Sequence, residues 1–280
     1  MLGERLENVR KNTPLVHNIT NYVTVNDVAN VILATGASPI MSDDIEDVED
    51  ITTICGALNI NIGTLNQRTI PGMFKAGKKA KELGHPVILD PVGAGASRLR
   101  TETAIKIADE IKPDVIRGNI SEIKTLWTGE GSTKGVDADI ADRVTDENLA
   151  ETVDAIKALA KERGCVIAVT GAIDIVADAD KAYIIRNGVA EMGQITGTGC
   201  QLSGMTAAYV AANPDNHLEA VAAAVASMGL AGEKAKNAGE IMYSRTGVQE
   251  GNSTMRNRII DAICNMTGNE LEKGAKYEII

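Results

Sequence analysis

Short apolar runs alternate with longer amphipathic ones through most of this chain. Residues 58–62, 86–90, 114–117 and 166–170 are rich in Ile, Val and Leu and read as buried strands. Between them lie 26–34, 67–83, 103–111 and 148–163, where the apolar positions suit helices. Such alternation predicts a largely parallel α/β sheet covered by helices. Residues 173–192 break the pattern with two or three short strands in succession and an Asn187-Gly188 turn signal, which predicts an antiparallel extension at one sheet edge. From Gly199 onward the chain reads as helix: 202–212, an Ala-rich run at 218–236, and 251–265, where Asn252 and Ser253 offer capping side chains. The polar 128–146 segment reads as an exposed connection and the tail after Gly268 as loosely held. No linker or internal repeat divides the chain, so residues 1–280 are predicted to form one domain.

Composition narrows the function. Only seven residues are aromatic (one Trp, one Phe, five Tyr), so the core must be built from Ile, Val, Leu, Ala and Met, and stacking platforms for single-stranded nucleic acid are missing. A formal net charge of −10 disfavours nucleic acid and anionic membrane as partners, while leaving room for one positive pocket. Cys55, Cys165, Cys200 and Cys264 are far apart and form no CxxC, which argues against a zinc site or a disulfide framework and for a reducing compartment. The charged start, MLGERLENVRKN, lacks the apolar core of a signal peptide, and no apolar run approaches the ~20 residues of a membrane helix. The expectation is a cytoplasmic enzyme.

Two phosphate-loop patterns fail on inspection. Residues 72–79 spell GxxxxGK, but Lys79 stands where a Ser or Thr should bind magnesium, and the segment lies inside a helical pattern. Gly93-Ala94-Gly95 follows a strand, but Arg98 replaces the third glycine of a dinucleotide fingerprint.

The strand ends carry more. Asp90 closes the strand 86–90; Arg117 and Asn119 close the next; Thr170 and Gly171 close a third. Open parallel sheets bind ligands outside that edge. Asn119 and Glu122 also suit a capping box, a role compatible with Glu122 binding a metal-bound water. Gly197-Thr198-Gly199-Cys200 precedes a helix, whose unpaired N–H groups and positive dipole end can hold an anion. Together these supply a carboxylate pair for Mg²⁺, an arginine and hydroxyls for phosphates, and an anion hole, the parts that phosphoryl transfer needs. His17 has no second histidine at metal spacing and reads as structural.

The chain resembles the hydroxyethylthiazole kinases of the ribokinase-like superfamily. The resemblance rests on PLVHNITNYV (14–23), GASPIMS (36–42), NINIGTL (59–65), DPVGAGAS (90–97), RGNISEI (117–123), VTG (169–171) and ITGTGCQL (195–202), which span most of the chain in the family's order. It implies a three-layer ribokinase-like fold with a mostly parallel central sheet flanked by helices. It also implies ATP- and Mg²⁺-dependent phosphorylation of the primary alcohol of 4-methyl-5-(2-hydroxyethyl)thiazole, in thiamine biosynthesis and salvage. By position, Asn21, Met41 and Gly197 would contact the thiazole, Arg117 and Thr170 the ATP, and Asp90 and Glu122 the magnesium. The backbone from Gly197 through Thr198 and Gly199 to Cys200 would form the anion hole. The family is typically a homotrimer with active sites between subunits. Most ribokinase-like kinases carry Asp where this chain has Cys200, so Cys200 sits at a catalytic position as either base or bystander. A free thiol has a pKa of ~8.5, and a helix N-terminus and a triphosphate push it in opposite directions. NAD(P)H-hydrate dehydratases share the fold but carry GTGD and lack the PLVHNITN and GASPIM stretches. A decayed sensor would not need Asp90, Arg117, Glu122 and the Gly-Thr-Gly segment intact.

Overall fold

The computed structural model describes residues 1–128 and 143–280. Most of the 128–146 connection therefore lies outside the described residues. Among the described residues, nine strands form one sheet in the order β2-β1-β3-β4-β5-β6-β7-β8-β9. The parallel part comprises β1 (Leu15–Ile19), β2 (Ser38–Met41), β3 (Ala57–Asn61), β4 (Val87–Asp90), β5 (Val115–Gly118) and β6 (Val166–Val169). The antiparallel extension comprises β7 (Asp174–Ala177), β8 (Ala182–Ile185) and β9 (Tyr277–Ile279).

Helices cover both faces. One side carries α1 (Leu2–Asn12), α2 (Val25–Thr35), α8 (Thr198–Ala212), α9 (His217–Thr246), α10 (Asn252–Asn265) and α11 (Gly268–Gly274). The other carries α3 (Val48–Ile54), α4 (Thr69–Leu83), α5 (Arg98–Glu110), α6 (Ile120–Thr128) and α7 (Leu149–Arg163). Strand alternation feeds two cores. In β3, Ala57 faces the first while Leu58 and Ile60 face the second. The same period sends Asn61, Asp90, Arg117 and Thr170, all at carboxyl ends, toward the α8 side. That side is mainly apolar and gathers its charged groups at the α8 N-terminus.

Helix α8 is buried nearly all round, from Cys200 to Val210, and has no polar stripe. Small residues let its neighbours close in: a Cβ on Gly204 would lie 2.8 Å from Val28 Cγ1. A larger residue there would overpack, at a cost of about 1–3 kcal/mol. The Ala-rich run expected at 218–236 is longer, continuing as α9 to Thr246. Both helices show how a chain so poor in aromatics fills its core, by close approach of small side chains.

Several expectations are corrected. The tail after Gly268 is held. Thr267 and Glu270 form a capping box at α11, and β9 pairs with β8. Asn187-Gly188 does not turn a hairpin. Residues 178–181 join β7 to β8, while the Asn187 amide donates to Glu233 and to the Gly274 carbonyl. Asn252 does not cap α10: it is the helix's first residue, and its amide donates to the Gln194 carbonyl at 3.3 Å. Strands β1 and β2 were missed because His17 and Asn18 break the apolar run and Pro39 sits in β2, a position tolerated on an edge strand. The rejected GxxxxGK segment lies within α4. Gly77 there abuts Ile111, and Lys75, Lys78 and Lys79 pair with Glu49, Glu110 and Glu82.

Candidate active site

Asp90 is the centre of the polar row. It is fully buried at the end of β4, directly opposite Asn61 of β3. Its Oδ2 accepts from Ser203 Oγ at 2.7 Å and Asn61 Nδ2 at 2.8 Å, and lies 3.5 Å from Arg117 Nη1. Its Oδ1 is buried with no partner. Burial pushes the carboxyl above the usual range and the Glu122 charge adds to this. Arg117, Ser203 and Asn61 oppose it.

Arg117 lies across the start of α8. Its Nη2 donates to Thr170 Oγ1 at 2.6 Å. A Cβ on Gly199 would come within 2.6 Å of both Nη1 and Nη2, so the guanidinium rests on the bare glycine backbone. Gly197 is the residue with left-handed backbone, at φ 86°, and a Cβ there would strike Thr24. The two glycines thus have different reasons: Gly197 makes the turn and Gly199 admits the arginine. A fixed cation and a helix N-terminus share one spot, an arrangement that attracts anions. Arg117, Thr170, Thr198 and Gly199 line a cavity of about 740 Å³ that extends to Asn187 and Met228.

Glu122 and Asn119 form the expected capping box. Glu122 Oε2 accepts from the Asn119 N–H at 2.8 Å, and Asn119 Oδ1 accepts from the Glu122 N–H at 2.9 Å. Glu122 Oε1 accepts from the Gly93 N–H at 2.8 Å. The residue is therefore tied to the loop after β4 as well as to its own helix.

Cys200 points away from the large cavity into a polar cluster. Asn21 Nδ2 lies 3.2 Å from its sulfur, and the same amide donates to Asn61 Oδ1 at 2.9 Å. Thr24 Oγ1 donates to Asn21 Oδ1 at 3.0 Å. Burial, then the Asp90 charge, pushes the thiol up, against the hydrogen bonds from Asn61, Asn21 and Thr24. The shift disfavours the thiolate.

Comparison with known proteins decides the family. The hydroxyethylthiazole kinase family model matches residues 6–269. A hydroxyethylthiazole kinase of Clostridium acetobutylicum is 59% identical, covering 99% of both chains. One from Methanocella arvoryzae is 41% identical over 97% of this chain and 95% of its own. The chain belongs to the hydroxyethylthiazole kinase family. The solved structure of the hydroxyethylthiazole kinase from Pyrococcus horikoshii superposes with a TM-score of 0.84 at 34% identity, covering 100% of this chain and 98% of that one. A Bacillus subtilis pyridoxal kinase superposes at TM-score 0.58 with 16% identity, over 79% of this chain and 91% of its own, a likeness of ribokinase-like fold alone. Hydroxyethylthiazole kinases are phosphotransferases that serve thiamine salvage.

For a hydroxyethylthiazole kinase, a second cavity of about 180 Å³ is of interest. Met41, Asn18, Thr20, Tyr22 and Asn61 are among its walls. Asp90 touches Arg117, a wall of the large cavity, and Asn61, a wall of the small one, so it stands between them. Of the residues expected around the thiazole, Met41 lines the small cavity. Asn21 sits behind it, bonded to Asn61 and Cys200, and Gly197 packs on Thr24. Sequence reasoning missed Asn61, Ser203 and Asp174. Two asparagines at alternate positions of an otherwise apolar strand, Asn59 and Asn61, were the available signal. Asp174 lines the large cavity, and its Oδ1 accepts from the Gly171 N–H at 2.8 Å. Burial pushes its carboxyl up to about 7, against that hydrogen bond and Arg117. His17 stays outside the site: its ring bonds Thr52 Oγ1 and the Ser42 carbonyl, each at 2.9 Å, and burial lowers its pKa.

Proposed function

We propose that this kinase transfers the γ-phosphate of ATP to the primary alcohol of 4-methyl-5-(2-hydroxyethyl)thiazole. The nucleotide would occupy the larger cavity and the thiazole the smaller. The observation that carries the reading is the Arg117 guanidinium lying on Gly199 at the α8 N-terminus, with Asp90 joining it to the wall of the second cavity. Arg117 and Thr170 would bind phosphate oxygens. The N–H groups of the α8 start would meet the charge that develops on the transferring phosphoryl group. Met41 and Asn21 would bound the thiazole side, with Gly197 shaping the turn between the subsites. Cys200 contributes its backbone N–H; its neutral thiol donates no base function, and a dissociative transfer asks for little.

Mg²⁺ fits the carboxylates present. Asp90 Oδ1 is a buried oxygen without a partner, and Glu122 is near enough for its charge to raise the Asp90 carboxyl. Hard cations take such oxygen ligands. Held by Asp90 and Glu122, directly or through waters, Mg²⁺ would neutralise charge on the phosphates.

A homotrimer with shared active sites is part of the same reading. Tyr22, on the rim of the smaller cavity, is 76% exposed and its neighbour Val23 61%, which suits cover by another subunit. Cytoplasmic residence is supported by four free cysteines. Among the described residues no helix is long and apolar enough to cross a membrane.

The test is alcohol-dependent ADP release, with the phosphorylated thiazole identified by mass. Folded protein that yields no such product from ATP, Mg²⁺ and the alcohol would defeat the proposal.

A further inference from the structure

The contacts around Asp90 are lopsided. Ser203 Oγ, Asn61 Nδ2 and Arg117 Nη1 all approach Oδ2, at 2.7, 2.8 and 3.5 Å, and Oδ1 has none. A carboxylate with a purely structural role in a core would be expected to share donors between its two oxygens, because each buried lone oxygen costs free energy. Here every donor pulls on the same one.

The donors are themselves fixed. Asn61 Oδ1 accepts from the Gly63 N–H and from Asn21 Nδ2, both at 2.9 Å. A flipped amide would face those two donors with a third and turn its carbonyl on the Asp90 carboxylate. The Asn61 amide therefore has one orientation, with its NH₂ on Asp90. Ser203 has one hydroxyl hydrogen and two acceptors in reach, Asp90 Oδ2 at 2.7 Å and the Gly199 carbonyl at 3.2 Å. The charged and closer acceptor takes it.

We infer that Asn61 and Ser203 are positioning residues for phosphoryl transfer: they clamp Oδ2 of Asp90 so that Oδ1 is presented bare to the cation and phosphates. This rests on the role proposed above for Asp90. Asn61 also walls the smaller cavity and reaches Cys200 through Asn21, so one amide ties the acceptor side to the carboxylate. Ser203 sits one turn along α8 from Gly199, so it ties the same carboxylate to the anion hole.

The experiment compares Ser203→Ala, Asn61→Asp, their double variant and Asp90→Asn. Turnover is measured with saturating ATP, and Mn²⁺ affinity is read by electron paramagnetic resonance in the presence of ADP without the alcohol. Ser203 lines neither cavity. Ser203→Ala should therefore lower kcat by about 10-fold and weaken Mn²⁺ binding while KM for the thiazole stays unchanged. Asn61→Asp, which sets a carboxylate against Asp90, should lose at least as much. The double variant should lose less than the product of the single losses, since both act on one oxygen. If Asn61→Asp does not fold, Ser203→Ala, which removes one oxygen atom, decides by itself. Parental kcat and Mn²⁺ affinity in Ser203→Ala, with both lost in Asp90→Asn, would overturn the clamp and leave the role of Asp90 standing. Parental values in Asp90→Asn would overturn the reading of the site itself.

Discussion

Replacing Gly199 with alanine separates stability from catalysis. A Cβ at this position would lie 2.6 Å from both terminal nitrogens of Arg117, where ordinary contact begins near 3.4 Å. The guanidinium must retreat by about 0.8 Å, a distance at which attractive contact is restored. It is held by a 2.6 Å hydrogen bond to Thr170 and sits 3.5 Å from Asp90, and the retreat disturbs both. Misplacing a catalytic group by ~1 Å costs about 100-fold in rate, or roughly 2.7 kcal/mol of transition-state stabilisation. Folding should barely notice. Gly199 has no positive φ, the displaced atoms are the tip of a flexible side chain, and alanine gains up to about 1 kcal/mol over glycine in a helix. The assay pairs kcat/KM for ATP with the thermal midpoint. A loss of about 100-fold with an unchanged or higher midpoint is expected. Parental kcat/KM, or a midpoint that collapses along with activity, would refute the placement of Arg117 on the helix start.

Four further outcomes follow from the same geometry. Glu122→Gln should lower kcat by at least about 10-fold while keeping the cap, since an amide oxygen still accepts from one backbone N–H; normal turnover would make the residue structural only. Cys200→Ser should keep activity within about 10-fold, because the α8 N–H groups stay in place and the thiol is already neutral; a loss of ~10³-fold or more would make the thiol an essential catalyst. Asp174 has its folded pKa raised from 3.8 to about 7, so the folded state holds the proton where the unfolded one has released it, and stability is lost as pH rises through that window. The stability gain of Asp174→Asn over the parent in chemical denaturation should therefore grow between about pH 4 and about pH 7 and then level off; a gain independent of pH would show that the carboxyl is not perturbed. Light scattering should report a trimer, and an active monomer at working concentration would rule out shared sites.

Much of the fold was legible in the residue pattern, for a physical reason. Strands buried on both faces are mainly apolar, so β3, β4, β5 and β6 announced themselves, and the amphipathic runs between them required crossover helices. The strand-end positions of Asp90, Arg117 and Thr170 and the Gly-Thr-Gly start of α8 were visible too, because parallel sheets bring carboxyl ends to one edge. Other features depend on partners distant in sequence. Pairing with β3 and β2 makes residues 15–19 a strand despite His17 and Asn18, and β8 holds residues 277–279. Gly199 was legible as part of a helix start able to hold an anion. Only packing against Arg117, 82 positions earlier in the chain, shows that its missing Cβ is what matters. Asn61 was marked in the sequence only as a polar residue in an apolar strand, within a stretch shared with the family, and Ser203 carried no motif. Their bonds to one oxygen of Asp90 exist because the sheet register sets Asn61 opposite Asp90 and because α8 crosses above both. Local pattern determines which segments are buried and where strands end; which oxygen of a carboxylate is left bare is decided by the side chains that two distant segments, β3 and α8, bring to within 3 Å of its other oxygen.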